Sequence, residues 1–144
     1  MVTQDLEDRL LAAFIVARKE RHEIVTTEHM LLSILGDPFV TEILEGFAAD
    51  TKKLERDLNT YIICNVPVKK GTGWMDTEST PGFTRVLMRA SIYLQRLGVE
   101  NAEINATHLL WAILGEKNSF AGQLLAKRYV TRKVVDIIIR SSFY

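Results

Sequence analysis

The chain has one cysteine, Cys64, in 144 residues. No internal disulfide can form, and this usage fits a reducing compartment. Neither charge is in surplus: 18 Lys and Arg face 18 Asp and Glu, and the pI is near 6.8. That balance argues against a nucleic-acid module, whose phosphate contacts need extra basic residues. No apolar run approaches the ~20 residues of a membrane span. The opening Met1-Val2-Thr3-Gln4-Asp5 reaches charge before any apolar core, so no secretory signal is expected. Period-2 alternation is absent, so no sheet is expected. There is no G-x-x-x-x-G-K-[ST] phosphate loop, nucleophile elbow or glycine-rich dinucleotide loop. With 47% hydrophobic and 25% charged residues, the chain has the composition of a folded domain rather than a disordered one. A cytoplasmic single domain is the expectation.

What is present is an internal repeat. Thr26-Thr27-Glu28-His29-Met30-Leu31-Leu32-Ser33-Ile34-Leu35-Gly36 matches Asn105-Ala106-Thr107-His108-Leu109-Leu110-Trp111-Ala112-Ile113-Leu114-Gly115. Each copy opens on a helix-capping side chain, Thr26 or Asn105. Each ends on a glycine suited to a left-handed position after a helix. Upstream, the stripe Leu6, Leu10, Ala13, Phe14, Ala17 recurs as Phe83, Leu87, Ala90, Ser91, Leu94. Downstream, Asp50 and Thr131 stand as matched caps, followed by Leu54 and Leu58 in one copy and Val135 and Ile139 in the other. The pattern predicts helices over 4–20, 27–35, 39–46 and 51–62, then 83–97, 106–114, 119–128 and 132–140. The fold class is therefore all-α, an eight-helix double repeat: repeat one 1–64, a linker 65–82 rich in Pro and Gly, and repeat two 83–144. Packing one half on the other buries both apolar stripes, and the seam between them is a natural docking groove.

The block from Arg21 to Leu32, followed by Gly36-Asp37-Pro38, resembles the N-terminal domain of Clp/Hsp100 ATPases. Leu54-Glu55-Arg56-Asp57-Leu58, Pro67-Val68 and Phe83 to Ala90 are similar to the ClpA type within that family. The resemblance implies a doubled four-helix fold that receives clients above an ATPase ring. It implies a ClpS-like adaptor that delivers N-degron proteins, and ClpP as the protease served by the ring. It implies no cofactor in this domain, since ATP and magnesium would belong to AAA+ modules outside this stretch of chain. By that resemblance the domain is no enzyme. Either it is one module of a longer chain, or it is a free-standing protein that competes for adaptors or clients.

The resemblance also marks residues. Glu23 and Glu28 correspond to adaptor-facing positions, although Glu28 in a first helical turn also suits the positive end of the helix dipole. Arg85, Arg89 and Arg132 are implied to face the groove between the halves. There they could hold an acidic peptide, a phosphate or a chain carboxylate through forked hydrogen bonds. Ordinary ion pairing with neighbouring carboxylates is the other reading. His22 is a candidate for adventitious zinc. From a different class comes a small metal-dependent hydrolase built on His22, Glu23, Glu28 and His29, although their spacing does not fit H-E-x-x-H. His29 has His108 as its repeat mate, which favours a structural role. Trp74 and Met75 in the linker either pack back on the domain or lie across the groove until a client displaces them.

Overall fold

The computed structural model describes residues 1–144. The first half carries α1 (Gln4–Lys19), α2 (Thr27–Ile34), α3 (Pro38–Gly46) and α4 (Thr51–Asn65). The second carries α5 (Pro81–Leu97), α6 (Ala106–Ile113), α7 (Phe120–Ala126) and α8 (Arg132–Phe143). All eight expected helices are present. The four expected caps, Thr26, Asp50, Asn105 and Thr131, each accept a backbone N–H of the first turn. Those bonds satisfy donors that a helix start would otherwise leave without partners. α5 begins at Pro81, two residues before its expected start, because Thr80 caps it and proline suits the first helical position.

α2 and α6 form the centre. Met30, Leu31 and Ile34 of one helix, and Leu109, Leu110 and Ile113 of the other, are fully buried. Burying one such side chain contributes about 1.5–3 kcal/mol. α2 packs on α6, and each also takes the third helix of the opposite half: α7 lies on α2, and α3 lies on α6. Phe14 of α1 meets Phe83 of α5 edge to face at 5.6 Å. The two halves therefore share one core.

A small sheet corrects the expectation of none. β1 (Ile24–Val25) pairs in parallel with β2 (Glu78–Ser79), and Thr80 N–H donates to Val25 O at 3.1 Å. The repeat-related contact is a single parallel bridge, Val2 to Ile104, with Thr3 N–H donating to Ile104 O at 2.9 Å. In both cases the residues leading into a first helix pair with those leading into the opposite half's second helix. Two residues are too few to show alternation, and only the crossing of the halves brings them together.

Gly36 and Gly115 are a second correction, since neither has a positive φ. Leu35 and Leu114 continue in right-handed geometry instead. At these glycines a side chain crosses close to the backbone. A Cβ on Gly115 would lie 2.6 Å from Arg89 Nε, and one on Gly36 would lie 3.1 Å from Arg9 Nη1.

Between α4 and α5 the chain is tied down. Arg21 donates to Lys69 O and Gly73 O, and Thr77 Oγ1 donates to His22 O. Met75 is buried, while Trp74 stays 75% exposed with the Arg18 guanidinium 5.0 Å from its ring centre. This segment lies on the α1 end and β1, not across a groove between the halves. The chain end packs as well: Phe143 meets Phe39 at 5.2 Å, and Tyr144 stacks beside His108.

Candidate functional site

The largest groove runs between α5 and α8, with Trp111 of α6 among its lining residues and a volume of about 620 Å³. Six cations line it, Arg85, Arg89, Arg96, Arg132, Lys133 and Arg140, against one lining carboxylate, Asp136. Every lining residue belongs to the second half. This corrects the expected place of Arg85, Arg89 and Arg132. The structure does bring them to one groove, but within a repeat rather than between repeats. α5 and α8 both flank α6, and the groove opens between them over Trp111.

The cations are held in different ways. Glu116 is nearly buried and takes both Arg85, at 2.8 Å, and Arg89, at 2.9 Å. Hydrogen bonds, first from Arg85 and also from Arg89, hold its carboxyl below the ordinary range, although burial pulls the other way. Arg89 also donates to Ala112 O at 3.0 Å, which fixes its head over Gly115. Arg132 lies over the Trp111 ring, 4.3 Å from its centre, a cation–π contact. Trp111 in turn stacks on Tyr93 at 4.2 Å. The Tyr93 hydroxyl donates to Asp136, which also accepts from Arg140 Nε at 2.9 Å. Burial and that bond push the Tyr93 phenol above its ordinary range. Arg96 and Lys133 are exposed and form no ion pair within the chain. Met88 and Ile92 add exposed apolar surface to the same groove.

Glu23 and Glu28 part company. Glu23 is exposed at the start of β1, and its backbone bonds to Pro67 O and Glu78 N hold it in place. Glu28 is only 5% exposed, and its carboxylate accepts from Ala121 N–H of α7 at 2.9 Å. It is a tie between the halves with its acceptor already engaged, not an adaptor-facing charge.

The four residues of the hydrolase reading do not converge. His22 is 9% exposed rather than a surface ligand, and its Nδ1 lies 3.2 Å from His29 Nε2. Glu28 points at α7, and Glu23 points to solvent. No three metal-ligating side chains form a group that could hold an ion. His29 accepts the Thr26 backbone N–H at 3.0 Å, and His108 accepts that of Asn105 at 2.9 Å. Each closes a capping box at the start of a second helix. Burial lowers both rings to a pKa of about 4, helped at His29 by the nearby His22.

Trp111, Glu116, Arg96, Lys133 and Arg140 were not singled out by sequence reasoning. Repeat alignment held a signal for Trp111 and Arg140, whose first-half mates are Leu32 and Asn59, but none for Glu116, Arg96 and Lys133, whose mates Asp37, Lys19 and Lys52 carry the same charge.

Residues 1–128 match the family described as the Clp repeat (R) N-terminal domain. The chain belongs to that family. A ClpA homolog protein from Fuscovulum blasticum is 30% identical over 129 residues, covering 88% of this chain. The chain spans 16% of the length of that relative. Solved Clp N domains share the fold. The ClpV1 N-terminal domain from E. coli superimposes with a TM-score of 0.79 at 18% identity, covering 95% of this chain and 82% of that one. The Hsp104 N-terminal domain from Candida albicans gives 0.75 at 13% identity, over 93% and 85%. As a Clp N domain, this stretch of chain is a binding domain without AAA+ ATPase modules. None of its helices is long and apolar enough to cross a membrane.

Proposed function

We propose that this Clp N domain receives proteins for a ClpA-like unfoldase that feeds ClpP in the cytoplasm. A ClpS-like adaptor docks on the face that carries Glu23, and clients pass through the basic groove of the second half. The observation that carries the reading is this groove: six cations in a chain of zero net charge, on the fold of a Clp N domain. Holding a client there raises its effective concentration near the ring pore, which is how a passive domain speeds delivery. ATP hydrolysis and its magnesium would reside in AAA+ modules beyond these residues. Glu23 would steer a basic adaptor surface and set its register more than it adds affinity.

Calorimetry of the chain against a ClpS-like adaptor tests the first half of this reading. Glu23→Ala is expected to weaken binding by roughly three- to tenfold, about 0.7–1.4 kcal/mol. An unchanged affinity removes Glu23 from the contact, and no binding of adaptor to the unaltered chain removes the adaptor reading.

A further inference from the structure

The groove has a second copy of itself to be compared with. Repeat alignment pairs Arg85 with Asp8, Arg89 with Ala12, Arg132 with Thr51 and Arg140 with Asn59. A cleft does open at the related place in the first half, lined by Leu32, Thr51, Glu55 and Asn59 among others. The α6–α8 side of the groove therefore has a counterpart in the first half. Arg96 and Lys133 keep cationic mates in Lys19 and Lys52, so the charge differs only at the four pairs just named. Structural need does not explain the difference, because the first half folds the same way with neutral or acidic residues at those positions.

The second-half groove also has two distinct zones. Glu116 absorbs Arg85 and Arg89 at the end nearer the start of α5, and Asp136 takes Arg140. Arg96, Lys133 and Arg132 have no carboxylate partner within the chain. Met88 and Ile92, 60% and 46% exposed, lie on the same side of α5 as those cations. Unpaired cations next to exposed apolar side chains fit a ligand that carries carboxylates and an apolar side chain together.

We infer that the α5–α8 groove binds an acidic peptide segment, with carboxylates on Arg96, Lys133 and Arg132 and an apolar side chain against Met88 and Ile92. This names a client class for the groove and so rests on the function proposed above. A peptide is favoured over a nucleic acid because the groove keeps Asp136 within it, Glu116 pairs with Arg85 and Arg89 beside it, and the chain carries no net positive charge.

The test titrates the 144-residue chain with a twelve-residue peptide of alternating Asp, Glu and Leu. A peptide with Asn and Gln in place of the acids, a single-stranded oligonucleotide and inorganic phosphate serve as comparators. The acidic peptide is expected to bind at least tenfold more tightly than the amide peptide, with affinity falling as salt rises. Arg96→Glu with Lys133→Glu is expected to weaken it at least tenfold. The repeat-related pair, Lys19→Glu with Lys52→Glu, is expected to leave it unchanged. All four sites are exposed, and thermal melts check that both variants fold. Equal binding of both peptides, equal loss in both variant pairs, or tighter binding of the oligonucleotide or phosphate overturns the inference. If neither peptide binds while the adaptor still does, the acidic class falls and the receiving role stands. If the adaptor fails too, the proposed function falls with it.

Discussion

The two halves of this molecule share a fold and differ in what they offer to solvent. Both second helices start with a histidine capping box, and both are buried on nearly every side. Yet His29 hands its second ring nitrogen to His22, while His108 hands its own to the Tyr144 hydroxyl. The tie between halves is one-sided as well. Glu28 reaches across to α7, whereas its repeat mate Thr107 bonds back to Asn105 within its own turn. Above the shared core, one groove is basic and the other is not. Duplication preserved what the core requires and released what faces water.

The comparison breaks most severely at the core. Leu31→Ala and Leu110→Ala remove repeat-related, fully buried side chains, and each is expected to cost about 2–5 kcal/mol in denaturant unfolding. A single transition should remain, because the halves share one core. Two separate transitions would show that they fold independently.

Next comes the one-sided tie. Glu28→Ala leaves the Ala121 N–H without its charged acceptor and is expected to cost about 1.5–3 kcal/mol. Thr107→Ala, the matched change, should cost less, since Asn105 still caps α6 through backbone donors. Equal losses would deny Glu28 its special place.

The buried histidines sharpen the comparison by pH. Both titrate near 4 when folded and near 6.5 when unfolded. Below pH 6.5 the unfolded chain therefore takes up protons that the native chain refuses. Their contribution is fully present above 6.5 and is lost as pH falls toward 4. Each unit of such a shift is worth about 1.4 kcal/mol. The melting temperature should fall between pH 6.5 and 5, above the range where most carboxylates titrate. A flat profile there would show that the rings are not held neutral.

The smallest expected effect is at the glycines. Gly115→Ala drives a methyl into Arg89 and should shift that guanidinium off Ala112 O, lowering client affinity for the groove by a few-fold at most. Gly36→Ala meets only the far end of Arg9 and should leave both stability and binding within experimental error. Calorimetry and melts on the two variants would separate them, and identical behaviour would remove Arg89 from the groove's working set.

Helices and caps were legible because their causes are local. A Thr or Asn oxygen bonds a donor two or three residues on, and a stripe at helical spacing marks the buried face. The arginines were legible as a set, but their location was not. Arg85 and Arg132 are 47 positions apart, and the angle at which α5 and α8 diverge decides whether they face the seam or their own groove. Glu28 misled for the same reason. Its neighbours in sequence place it in an exposed first turn, while α7, more than 90 positions away, covers it. The short β1–β2 ladder gave no pattern at all, because two residues cannot alternate.

Sequence alone determined that this chain is a doubled set of four capped helices without a surplus of charge, since period, caps and composition act within a few residues. Tertiary structure alone decided which charges are spent inside the molecule and which stay open to a partner. Whether Glu28, Glu116 or Arg96 meets a protein group or water depends on elements from distant parts of the chain coming within about 3 Å of each other.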